Sequence, residues 1–71
     1  MSYNELRNLL APMKRGEVIE IPHPEQTIEV TFSTEGVFQI FVHCTTDKAA
    51  SCNTTVSLKK AVGIIQEHFK E

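Results

Sequence analysis

The stretch from Thr27 to Cys44 constrains this chain more than any other. Ile28, Val30 and Phe32 alternate with Thr27, Glu29, Thr31 and Ser33, a period of two that turns one side of a strand apolar and the other polar. Thr34-Glu35-Gly36 supplies a tight reversal with glycine where left-handed backbone is needed, and a second strand returns from Val37 to Cys44. Setting Ser33 opposite Val37 brings Phe32 to Phe38, Val30 to Ile40 and Ile28 to Val42, all facing inward. A slip of one residue would send a whole apolar set to the wrong side, so the pairing is determined.

The flanking segments extend this hairpin. Val18-Ile19-Glu20-Ile21 reads as a short strand, stopped by Pro22-His23-Pro24, and the same register carries Ile21 to Ile28 and Ile19 to Val30. Upstream, Ser2 and Glu5 form a capping box that satisfies backbone N–H groups left open at a helix start. The spacing predicts a helix from Tyr3 to about Ala11, ended by Pro12, with Tyr3, Leu6, Leu9, Leu10 and Met13 as its buried stripe. Ser57 caps a final helix whose Leu58, Ala61, Val62, Ile65 and Phe69 point inward, with Ile64 and His68 at the border. Gly63 in that helix costs about 1 kcal/mol against alanine, which implies close approach of the first helix. Thr45 to Val56 has no clear period and reads as a long connection, with Asp47-Lys48-Ala49-Ala50 as a candidate helical turn and a short strand at Thr54 to Val56 left open.

These elements predict an α+β fold of order α-β-β-β-α, a three-stranded antiparallel meander with both helices packed on one face. With 71 residues, 41% hydrophobic and 23% charged, the chain has the composition of one small globular domain spanning residues 1–71. The net charge of −2 gives no broad attraction to nucleic acid or anionic lipid. No apolar run reaches the roughly 20 residues of a membrane span, and the first residues lack a secretory pattern. The expectation is therefore a cytoplasmic protein with no membrane partner, in which Cys44 and Cys52 are free thiols.

Catalytic constellations fail on geometry. His43 and Cys44 are neighbours in a strand, so their side chains point to opposite faces, and Cys44 shares the inward parity of Phe38, Ile40 and Val42. His23, His43, Cys44 and Cys52 lack the paired spacing of a zinc site, so no metal is expected. No glycine-rich phosphate loop is present and no cofactor is implied. The chain is expected not to be an enzyme; a small thiol enzyme or hydrolase completed by a partner ranks third.

The polar side of the sheet is more informative. The register arranges it in rows: Val18, Thr31 and Gln39; then Glu20, Glu29 and Phe41; then Thr27 and His43. Glutamates directly opposite each other repel, and Phe41 beside them is an apolar side chain without a place in the core. Glu20, Glu29, Phe41 and His43 are therefore the candidate contact surface for a basic or mixed protein partner or for a second copy of the chain.

A second surface is cationic. Lys59 and Lys60 open the final helix, His23 lies in the first inter-strand turn, and Asn4 and Arg7 lie on the first helix. The order α-β-β-β-α with those placements resembles double-stranded RNA-binding domains, and that resemblance implies nucleic-acid contact through Lys59, Lys60 and His23. Val62-Gly63 interrupts the basic run that such domains continue, and the net charge weakens phosphate neutralisation. The leading expectation is a non-catalytic binding or regulatory module acting through protein contact, with self-association into a homodimer; nucleic-acid binding is the alternative.

Overall fold

The computed structural model describes residues 2–44 and 50–69, with Cys44 described by its backbone alone. Its elements run α1 (Tyr3–Leu10), β1 (Glu17–Ile21), β2 (Gln26–Phe32), β3 (Phe38–Cys44), β4 (Ala50–Thr55) and α2 (Leu58–Glu67). The strands form one antiparallel sheet in the order β1-β2-β3-β4.

The central hairpin has the expected register, with Phe32 paired to Phe38, Val30 to Ile40 and Ile28 to Val42. The Phe32 and Phe38 rings stack with centroids 4.6 Å apart. Ser33 organises the turn: its N–H donates to the Val37 carbonyl, and its hydroxyl accepts from the N–H groups of Glu35 and Val37. Gly36 sits at φ +82°, a conformation a side chain resists. The Arg15 guanidinium donates to the Thr34 carbonyl from the neighbouring turn, so the reversals before β1 and after β2 brace each other.

Helix α1 begins with the expected reciprocal cap between Ser2 and Glu5 and ends with Ala11 as C-cap. Leu6 and Leu10 of α1, and Ala61, Val62 and Ile65 of α2, join Ile21, Ile28, Val30, Phe38, Ile40 and Val42 in one buried cluster. The sheet residues of that cluster all share one parity, so the core lies against a single face. Burying this set of aliphatic side chains is the main stabilising term, at about 1.5–3 kcal/mol for each large one before the entropy of ordering is subtracted.

Four expectations are corrected. The sheet has four strands, not three, because Ala50–Thr55 pairs along β3 from Phe38–Thr55 to His43–Ala50. Ser51 and Asn53 on one side of β4, and Cys52 and Thr54 on the other, are all exposed. Neither side is buried, so no period-two signal marks the strand; the backbone ladder holds it instead. The proposed helical turn is replaced at Ala50 by strand, and its remaining residues, like the rest of 45–49, lie outside the described residues. Leu9 is 39% exposed, because it falls at the margin of the stripe defined by Leu6, Leu10 and Met13. Finally, nothing lies within 4 Å of where a Cβ on Gly63 would stand, so that glycine is not explained by close approach of α1.

Candidate docking face

The sheet residues of opposite parity to the core form the outer face, and the fourth strand adds a column to each expected row. Val18, Thr31 and Gln39 continue into Thr54; Glu20, Glu29 and Phe41 continue into Cys52; Thr27 and His43 continue into Ala50. Phe41 is 43% exposed and Val18 53%. Glu20, Glu29, His43 and Cys52 are exposed as well. The four residues singled out in the sequence, Glu20, Glu29, Phe41 and His43, therefore lie on adjacent strands of one face. Cys52, beside Phe41, escaped sequence reasoning because nothing in Ala50–Thr55 signals a strand.

The central row is electrostatically and sterically uneven. Glu20 and Glu29 are direct cross-strand partners, and such like-charge pairs destabilise a sheet when no cation intervenes. Among the described residues no salt bridge engages either of them. Next to Glu29 stands Phe41, on an interior strand, with its ring flanked by Glu29 on one side and the small Cys52 on the other. An acidic pair, an exposed aromatic ring and a small soft side chain thus stand in a single line across the sheet. A cationic or amphipathic side chain could meet both charge and ring along that line.

Cys52 is a free thiol. It shares the outer face with Phe41, whereas the backbone of Cys44 pairs with Gln26 at the far end of β3. The environment expected for the Cys44 side chain lies outside the described residues. His43 and Cys52 stand diagonally on the same face, but no hydrogen bond joins them. Among the described residues no group of three His, Cys, Asp or Glu side chains is arranged to hold a metal ion, and no helix is long and apolar enough to cross a membrane.

The residues of the alternative surface are separated by α2. Lys59 and Lys60 are exposed in its first turn, where Ser57 caps the helix by accepting from the Lys60 N–H at 3.3 Å. His23 is at the other end. Its Nε2 lies 2.7 Å from the His68 carbonyl, its Nδ1 accepts from the Glu25 N–H at 3.1 Å, and its ring meets Phe69 at 4.7 Å between centroids. The two contacts together require the neutral tautomer that carries its proton on Nε2. Nε2 thereby fastens the turn between β1 and β2 to the end of α2, whose last carbonyls have no partner within the helix, while Nδ1 closes a bond inside the turn itself.

Compared with models of known protein families, with characterised proteins and with solved structures, the chain matches none.

Proposed function

We propose that this chain is a small non-catalytic binding or regulatory module that acts through protein contact on the outer face of its sheet, and that it works as a homodimer. Residues of both helices join the buried cluster of the inward sheet residues, while Glu20, Glu29 and Phe41 of the opposite parity are exposed. The observation that carries the reading is the exposed Phe41 ring in the middle of that face, next to two carboxylates that repel each other in the isolated chain. A partner offering lysine or arginine beside an apolar side chain relieves the repulsion and covers the ring in one step. His43, one row along, extends the polar rim of the same patch.

The test is a comparison of the wild type with Phe41→Asp and with Glu29→Lys. Each side chain is exposed, so both variants are expected to fold. A basic peptide with interspersed aromatic or aliphatic residues is the probe, titrated by fluorescence anisotropy at two salt concentrations. The wild type should bind it, Phe41→Asp should lose most of the affinity, and Glu29→Lys should lose the salt dependence. Equal behaviour of all three proteins would remove the outer face from consideration.

A further inference from the structure

The two edges of the sheet are built differently, and hydrogen-bond parity shows how. The Gly16 N–H donates to the Phe32 carbonyl, toward β1, while the Ser33 N–H donates to the Val37 carbonyl, toward β3. In an antiparallel ladder these directions alternate residue by residue. Phe32, Val30 and Ile28 therefore face β1 with their backbone groups, and Thr31, Glu29 and Thr27 face β3. On β3, Gln39, Phe41 and His43 answer them, which leaves Phe38, Ile40 and Val42 bonded to Thr55, Asn53 and Ser51 of β4. Ala50, Cys52 and Thr54 consequently direct their N–H and C=O groups to the open side of β4.

The corresponding positions on the other edge are Val18, Glu20 and, just past the strand, Pro22. Proline has no N–H to offer, and Glu20 places a charge at the margin. Both are devices that keep an edge from pairing with another chain. The segment Ala50–Val56 has neither: no proline, no charged side chain, and Thr and Val residues that favour extended backbone. Among the described residues no further strand pairs with this edge.

We propose that the β4 edge is where a second copy of this chain adds, antiparallel, about a two-fold axis passing through Cys52, so that two sheets join into one. The inference deepens the functional reading above and rests on it only in taking a second copy as partner. A two-fold relation between antiparallel strands keeps facing residues on the same side of the sheet. With the axis at Cys52, Ala50 pairs with Thr54 of the other copy and Ser51 with Asn53. Each pair brings together groups that tolerate or complete one another. The Ser51 hydroxyl meets the Asn53 amide on the core side, and no like charges meet anywhere along the seam.

On the outer side the central row becomes Glu20, Glu29, Phe41, Cys52 and then the same residues in reverse. The two Phe41 rings and two thiols form a continuous apolar centre with the carboxylates at its far ends. About six backbone hydrogen bonds would form across the seam, and the two Cys52 Cα atoms would lie about 5.5 Å apart, within reach of a disulfide.

The experiment uses that thiol and one edge N–H. Under reducing conditions, light scattering across a concentration series should give a dimer for the wild type. Thr54→Pro removes an N–H that points away from β3, so it should leave the fold intact by circular dichroism while weakening self-association about tenfold or more. Mild oxidation should couple wild-type chains into a covalent dimer, and Cys44→Ala as well, but not Cys52→Ser. A wild type that stays monomeric, a crosslink that forms as fast in Thr54→Pro as in the wild type, or a covalent dimer that survives Cys52→Ser would each overturn the edge pairing. If Phe41→Asp dissociates the dimer while Thr54→Pro does not, the edge inference fails and the outer-face reading stands. If Thr54→Pro dissociates it while Phe41→Asp binds the basic probe as well as the wild type does, the edge inference stands and the outer-face reading fails.

Discussion

Glu20 and Glu29 stand directly opposite each other on β1 and β2, on the side of the sheet turned away from the core. The pair gains nothing from this arrangement in the isolated chain, since like charges at facing sheet positions are destabilising by a fraction of a kcal/mol. Replacing Glu20 with lysine converts repulsion into attraction. The expected outcome is a gain of about 0.5–1 kcal/mol in urea denaturation at low salt, shrinking as salt is added. A loss of stability in Glu20→Lys would mean that the two carboxylates are held by something other than each other's field.

His23 makes a different kind of cross-link. Its imidazole joins the turn after β1 to the His68 carbonyl and the Phe69 ring at the end of α2. Phenylalanine at position 23 would keep an aromatic contact with Phe69 but lose both hydrogen bonds. The His23→Phe variant should be destabilised by about 1 kcal/mol, since the partly buried bond to the His68 carbonyl contributes roughly 0.5–1.5 kcal/mol while water replaces the exposed one from the Glu25 N–H. Amide exchange at the end of α2 should quicken more than exchange in β2 and β3. Uniform acceleration would indicate a global effect and not a local fastening.

The hairpin, the capped helices and every row of the outer face as far as β3 were legible in the sequence, because each leaves a mark in residue type. Ile28, Val30 and Phe32 record burial on one side; Gly36 records a left-handed turn; Ser2 and Glu5 record a cap. β4 leaves no such mark. Ser51, Cys52, Asn53 and Thr54 are exposed, so their identity is not dictated by a core, and a strand defined by backbone pairing alone is silent in side-chain periodicity. The role of His23 was hidden for a related reason: its partner is a main-chain carbonyl 45 positions away, and any residue at 68 would provide one.

Gly63 was legible as a cost but not as to its cause. A Cβ built there meets nothing within 4 Å, and the residue lies inside α2. Alanine should therefore fit without displacement and restrict the unfolded chain. The Gly63→Ala variant is expected to be more stable by about 0.5–1 kcal/mol, read as a higher urea midpoint with an unchanged slope. A destabilised variant would show that α2 and its surroundings approach more closely than the backbone spacing indicates.

The N-terminal cap provides a pH-dependent contribution whose sign can be worked out. The Ser2 N–H donates to the Glu5 carboxylate while the Glu5 N–H donates to the Ser2 hydroxyl, both at 3.3 Å. The backbone bond from Ser2, and then the bond with its side chain, hold the Glu5 carboxyl below its ordinary value. The folded state thus binds this proton less readily than the unfolded chain does. By linkage, the cap's contribution is complete above the unfolded value and is lost as pH falls through the folded one. Glu5→Gln keeps an acceptor for the Ser2 N–H but removes the charge. Its deficit against the wild type should be largest near neutrality and should close on acidification, where both side chains are neutral, when urea midpoints of the two proteins are measured side by side. Because this carboxylate is fully exposed, salt should narrow the same gap at neutral pH. A deficit that widened in acid would reverse the sign and place the origin of the shift outside the cap.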